Sequence, residues 1–90
     1  MTAIRQVQAA VAARYGISVA EMIGVCRLRH IYIPRAVAIK LARELTAASL
    51  PQIGRAFGGR HHATILHAIN RPLTEIDADI CGELRDAMRR

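Results

Sequence analysis

The apolar positions of this chain recur at steps of three and four residues, and glycine, proline and serine interrupt the repeats. That spacing places apolar side chains along one face of an α-helix. The pattern therefore predicts an all-α fold of five or six helices joined by short turns, in one domain over residues 1–90. The first of these helices is predicted from the apolar face formed by Ile4, Val7, Val11 and Tyr15.

Capping residues and a proline mark where the next two helices begin. Ser18 and Glu21 have the spacing of a capping box, which predicts a short second helix over about 19–24. A third helix is predicted over about 34–47, because its proline suits a first turn in which the missing N–H has no partner. Residues 25–33 lack helical periodicity, and we expect an exposed basic loop there.

A pair of glycines divides the following segment into two further helices. The first is predicted over Ser49–Phe57, the turn is Gly58-Gly59-Arg60, and the second is predicted over His61–Asn70. A helix, a glycine-containing turn and a helix make up a helix-turn-helix, here over about 49–70. In that motif the start of the second helix contacts base edges in the major groove, and the first helix crosses the sugar-phosphate backbone.

Positive charge is concentrated in the middle of the chain. The formal net charge is +6, yet a final helix predicted from about Thr74 carries acids on its outer face and is expected to act as a brace. Clustered arginine attracts polyanions, of which nucleic acid is the usual one, because guanidinium donates forked hydrogen bonds to phosphate and guanine. Residues 22–74 contain one acid, Glu44, and eight basic residues: Arg27, Arg29, Arg35, Lys40, Arg43, Arg55, Arg60 and Arg71.

The start of the second helix of the motif carries the residues expected to read the major groove. We expect Arg60 to donate to guanine O6 and N7 and His61 to contact a base edge. His62 lies at the same place and is assigned to the same surface. Ala63 and the methyl group of Thr64 are expected to pack on thymine methyl groups.

The basic residues upstream are expected to contact the rest of the duplex. Arg27 and Arg29 lie in the predicted loop, which could form an arm that enters the adjacent minor groove, since narrow minor grooves attract arginine. Arg35 and Arg43 lie on the predicted third helix, and we expect them to hold phosphates.

The same sequence argues against a metal site, a cofactor and catalysis. His61, His62 and His67 include no pair at helical i, i+4 spacing, and both cysteines are remote from them, so no metal site is predicted. Catalysis needs a base with an oriented partner, and the basic region has only Glu44, so we expect no enzyme. Without a membrane-length apolar run or a signal peptide, the protein is expected in the cytoplasm, with reduced cysteines and no membrane contact.

Three motifs resemble the C-terminal DNA-binding domain of the bacterial chromosomal replication initiator DnaA, and the resemblance covers nearly the whole chain. Residues 50–65 read LPQIGRAFGGRHHATI, close to the family pattern I-G-x-x-F-G-G-R-D-H-[ST]-T-V. Residues 27–35 match R-x-R followed by P-R, and residues 42–46 match A-[KR]-x-L-T. The resemblance implies a Trp-repressor-like helix-turn-helix that binds short asymmetric boxes containing A·T pairs.

The family pattern also implies roles for individual residues. It places Arg27 in the minor groove, residues 60–64 in the major groove, and Arg35 and Arg43 on phosphates. The chain departs from the pattern at the family's aspartate, which is His61 here, and at its first Ser/Thr, which is Ala63. A third departure is Ala36 in place of glutamine, and we expect these changes to alter the box rather than to abolish DNA binding.

The sequence leaves two classes of function. The first is binding to double-stranded DNA by an initiator-like domain that acts as an accessory, competitor or regulator at initiator boxes. We expect this domain to be standalone, because the sequence starts at Met1 and lacks the ATPase motif. The second is a protein-interaction module that docks on replication proteins, with DNA binding secondary. The basic loop and Arg60 favour the first, and a monomer associated with the nucleoid is expected.

Overall fold

Helices make up all the regular secondary structure of residues 3–89, which are the residues that the computed structural model describes. The all-α fold predicted from the sequence pattern is confirmed. The helices are α1 (Ile4–Tyr15), α2 (Val19–Ile23), α3 (Arg29–Leu45), α4 (Leu50–Ala56), α5 (His62–Asn70) and α6 (Glu75–Met88). No helix among these residues is long and apolar enough to cross a bilayer.

Side-chain caps begin three of the helices where the sequence predicts them. The Ser18 hydroxyl accepts from the Glu21 N–H at 3.0 Å, and the Glu21 carboxylate accepts from the Ser18 N–H, which completes the predicted capping box. Ser49 and Gln52 form the equivalent box at the start of α4. Thr74 caps α6. These bonds satisfy N–H groups that have no partner within the helix.

Helix α3 begins earlier than the sequence pattern predicts. It starts at Arg29, so the predicted loop over 25–33 is wrong for its second half, and Arg29 is the first residue of a helix rather than part of a loop. Ile31 and Ile33 are buried against the core, and their burial favours the extra helical turn. Pro34 therefore lies inside the helix, where it removes one backbone hydrogen bond.

The core surrounds α3, the longest helix. Its apolar side packs against α1, α2, α4, α5 and α6, so each of the other helices covers part of one central surface. The single phenylalanine of the chain, Phe57, is fully buried at the end of α4. Side chains that are completely enclosed include Val7, Val11, Met22, Val37, Leu41, Ile53 and Ile65. Small aliphatic residues thus fill a core that holds only one large ring.

The final helix is held to the others through polar contacts at its edge. The Tyr15 hydroxyl donates to Asp77 Oδ1 at 2.8 Å. Burial is the main cause that raises the pKa of Tyr15, and the hydrogen bond to this carboxylate is the second. Arg85 pairs with Glu44 of α3 through two hydrogen bonds. Helix α6 therefore has the bracing position that its acidic outer face suggested.

Two glycines allow the helix-turn-helix to close. A side chain at Gly54 would place its Cβ 2.2 Å from the carbonyl oxygen of Arg60, so α4 and the turn before α5 approach too closely there for any other residue. Gly58 has a φ of 80°, and its Cβ would lie 2.3 Å from the carbonyl oxygen of Ile23. The glycine-containing turn of the predicted motif is thus confirmed, and it packs directly on the end of α2.

We predict opposite effects of alanine at two helical glycines. Gly54→Ala should destabilise the protein by about 1–3 kcal/mol, because the new Cβ displaces the backbone at Arg60. Gly82→Ala, in α6, meets no atom within 4 Å and should stabilise by about 0.5–1 kcal/mol through helix propensity. Urea unfolding of both variants measures these changes, and stabilisation by Gly54→Ala would contradict the packing described.

Candidate nucleic-acid interface

Helix α5 presents its first two turns to solvent. Ile65 is fully buried and fixes which side of the helix faces the core. Ala63 and Thr64 are exposed, as are His62 and His67. The polar and small residues that the sequence assigned to base reading therefore lie together on the outer face of the second helix of the motif.

His61 is the N-cap of α5 rather than its first helical residue. Its backbone is extended, with φ −64° and ψ 147°, and its Nδ1 atom accepts a hydrogen bond from the Ala63 N–H at 3.1 Å. The imidazole rings of His61 and His62 lie with their centroids 4.2 Å apart. The cap and the neighbouring ring together hold an exposed side chain in one position.

Arg60 points away from the surface that it was expected to serve. Its Nη1 atom donates to the carbonyl oxygen of Ile23 at 3.0 Å and to that of Phe57, and its Nη2 atom donates to the carbonyl oxygen of Gly24. These bonds use three of the five N–H donors of the guanidinium group and both hydrogens of Nη1. In this structure the Nη atoms of Arg60 are turned to the end of α2, and the contact between Arg60 and guanine stays a prediction.

The Arg35 side chain also donates to backbone carbonyls within the protein. Its Nε atom donates to the Met22 carbonyl at 2.7 Å, and its Nη2 atom donates to the carbonyls of Gly24 at 3.1 Å and Cys26 at 2.8 Å. Only 8% of the residue is exposed. The Nε and Nη2 atoms of Arg35 thus have protein partners, and its phosphate contact stays a prediction.

Both guanidinium groups bind carbonyl oxygens at and just beyond the C-terminal end of α2. The last carbonyls of a helix lack partners within it and carry partial negative charge, which favours a cation there. Burial lowers the pKa of both Arg35 and Arg60 below the ordinary value of arginine, and the charge of Arg60 lowers that of Arg35 further. The Gly24 carbonyl accepts from both side chains and so connects α3 to the turn before α5.

These bonds bring the predicted arm beside the start of α5. Arg27 is exposed and directly follows Cys26, whose carbonyl Arg35 binds. Arg60 directly precedes His61 and binds Gly24, three residues before Arg27. The arm is residues 25–28, and the bonds from Arg60 to Ile23 and Gly24 tie the chain just before the arm to the turn just before α5.

A second basic cluster forms around Tyr32, for which the sequence gave little signal. Arg71, just after α5, donates from Nη2 to the Tyr32 hydroxyl at 3.0 Å, and its guanidinium carbon lies 4.6 Å from the ring centroid. Arg29 Nη1 approaches the same hydroxyl at 3.5 Å. In the sequence, the spacing of Tyr32 one turn after Arg29 was the one sign of this cluster. The contact between Tyr32 and Arg71 was not visible there, because the two residues are 39 apart in the chain.

The charge of the basic region divides into inward and outward sets. Lys40 joins Arg35 and Arg60 in the inward set, because its Nζ atom donates to the Ile69 carbonyl at 2.6 Å. The one acid of the region, Glu44, is paired with Arg85. The outward set consists of the exposed residues Arg27, Arg29, Arg43, Arg55 and Arg71.

Removing the inward arginine of the turn should cost much more stability than removing an outward one. Arg60→Ala removes the charged donor from the carbonyls of Ile23 and Phe57 and leaves that of Gly24 with Arg35 alone, and we expect a loss of about 2–4 kcal/mol in the free energy of unfolding. Arg55→Ala, on the exposed side of α4, should change stability by no more than about 0.5 kcal/mol. Urea unfolding compares the two, and equal losses would contradict the buried role of Arg60.

Comparison with known proteins agrees with this architecture. Residues 4–71 match the family model described as the bacterial dnaA protein helix-turn-helix. Relatives named chromosomal replication initiator protein DnaA include one from Nitrosomonas eutropha, 49% identical over 83 residues, which are 92% of this chain and 18% of the relative. One from Cereibacter sphaeroides is 45% identical over 84 residues, 91% of this chain and 18% of the relative.

The match covers a limited part of those relatives. The chain spans about a fifth of the length of the curated proteins that it matches, as the 17% covered in the Limosilactobacillus reuteri protein also shows. Within this chain, the matched region includes α1 to α5 and so the entire helix-turn-helix. The chain belongs to the bacterial DnaA helix-turn-helix family.

Proposed function

We propose that this chain binds double-stranded DNA at sites resembling DnaA boxes. The observation that carries the proposal is the arrangement at Gly24, where Arg35 and Arg60 tie the residue before the exposed arm to α3 and to the turn before α5. A helix in the major groove and an arm in the adjacent minor groove need that proximity. The names of the relatives, which are chromosomal replication initiators, support a place for this binding in replication initiation.

Major-groove reading is assigned to the exposed start of α5. His61, His62, Ala63 and Thr64 lie there, and each offers a short polar or methyl group of the kind that contacts base edges. Arg60 holds the turn before α5 against the end of α2 through its bond to the Ile23 carbonyl, and no base contact is assigned to it. Helix α4 then crosses the backbone, where Arg55 is exposed.

Minor-groove and phosphate contacts are assigned to the remaining outward arginines. Arg27 in the arm enters the minor groove, because it is exposed and unlike Arg29 lies outside a helix. Arg29 and Arg71 share the Tyr32 hydroxyl and form one basic surface at the other end of α5. Arg43 on α3 holds a phosphate. The chain would then act at initiator boxes as an initiator-like DNA-binding domain or as a regulator.

The arm can be tested with a charge-matched control. Arg27→Ala should weaken binding to a duplex carrying a DnaA-box-like site by about tenfold or more, because a minor-groove contact is lost. Arg5→Ala removes the same charge from an exposed position of α1 outside the basic region and should have little effect. Fluorescence anisotropy with labelled duplexes measures both, and equal affinities of the two variants would contradict the arm.

Phosphate contacts should be distinguishable from base contacts by salt. Arg43→Ala should weaken binding to specific and non-specific duplexes alike. It should also reduce the slope of log K against log salt concentration by about 1. Substituting Thr64 by Val should instead change the preference among sites and leave that slope unaltered. Titrations at several salt concentrations check both variants. An Arg43→Ala effect confined to one sequence would count against the phosphate role.

A further inference from the structure

We propose that His61 specifies one base pair of the bound site by donating a hydrogen bond from Nε2 to an acceptor on a purine edge. This inference rests on the DNA binding proposed above, and it adds which partner donates and which accepts in one contact. Its starting point is the hydrogen bond between the Ala63 N–H and His61 Nδ1, at 3.1 Å.

That bond fixes which nitrogen of the ring carries the proton. An imidazole nitrogen accepts a hydrogen bond only through a free lone pair, so Nδ1 is unprotonated while it caps α5. In the neutral ring the other nitrogen, Nε2, then carries the hydrogen and is a donor. The exposed side chain of His61 consequently offers a donor to a ligand in front of α5.

The ring is also held in place before any ligand binds. One side of it is fixed by the backbone of Ala63, and the His62 ring lies against it with the centroids 4.2 Å apart. A donor held in one orientation loses little conformational freedom on binding, so its hydrogen bond discriminates among acceptors more strongly.

Major-groove chemistry converts a donor into a base preference. Guanine presents two acceptors, N7 and O6, adenine presents N7 and thymine presents O4, whereas cytosine presents the N4 amino donor. A donor facing cytosine leaves two hydrogen-bond donors opposed without an acceptor between them. His61 therefore favours the purine guanine, which offers two acceptors, at the base nearest the start of α5 and disfavours cytosine there.

Asparagine and aspartate provide a matched pair of variants, because they have nearly the same shape and both are strong N-caps. In His61→Asn, the side-chain oxygen can accept from the Ala63 N–H, and the amide group then offers an N–H donor outward. In His61→Asp, one carboxylate oxygen takes the same cap bond and the other offers an acceptor. Urea unfolding of both variants checks that the cap, and so the fold, is kept.

Selection from a pool of random duplexes by the wild-type chain and the two variants tests the proposal. We expect the wild type and His61→Asn to select a purine at one position, and His61→Asp to select cytosine there, with a reversal of roughly tenfold in relative affinity. Selection of one common site by all three proteins would overturn the role of His61 while leaving DNA binding intact. Failure of the wild type to select any site would overturn the proposed function and this inference together.

The tautomer can be measured without DNA. Two-bond correlations between imidazole nitrogens and carbon-bound protons, recorded on the 15N-labelled full chain near neutral pH, distinguish a protonated Nε2 from a protonated Nδ1. We expect the Nε2–H form at His61. A ring with the proton on Nδ1 would overturn the inference, since Nδ1 could not then accept from Ala63.

Discussion

The structure depends on how the carbonyl groups at the end of a five-residue helix are satisfied. As in any helix, the last carbonyls of α2 have no partner within the helix, and residues 3–89 contain no strand whose N–H groups could bind them. Two arginines from distant positions supply the donors instead. Because both bind Gly24, one short helix end becomes the joint between the arm, α3 and the helix-turn-helix.

This joint requires arginine specifically. Arg35 reaches the carbonyls of Met22, Gly24 and Cys26 with one planar group, and Arg60 likewise reaches three carbonyls. A lysine would bring the same charge as a single point and could not span them. The cost is that two positive groups are partly buried close together, which is visible as the lowered pKa of Arg35. A basic composition in this chain therefore serves the fold as well as the surface.

Much of the architecture could be predicted from local sequence, and the remainder depended on distant contacts. The capping box at Ser18 and the glycine pair at 58–59 act within a few residues, and both were placed correctly. The start of α3 was misplaced because Ile31 and Ile33 alternate like a strand or loop, and a residue before proline is biased away from helix. Only their burial against the core reveals the helix.

The direction of the basic side chains was beyond what the sequence could show. Nothing in their type or spacing separates Arg60, which faces inward, from the exposed Arg27, because the carbonyls of Ile23 and Gly24 that attract Arg60 come close only in the folded chain. The N-cap role of His61 and its bond to Ala63 likewise depend on where α5 begins. The motif was thus predictable, whereas the assignment of its charges to core or surface was not.

The carbonyls at the end of α2 couple the arm to helix α5. A double-mutant cycle on duplex affinity tests this coupling most directly, with Arg27→Ala combined with Arg60→Lys, which keeps the charge but cannot span three carbonyls. We expect strong non-additivity: once Arg60 is replaced, Arg27→Ala should cost far less affinity than it does in the wild type. Fully additive losses would show that the arm acts independently of the joint and would contradict the account.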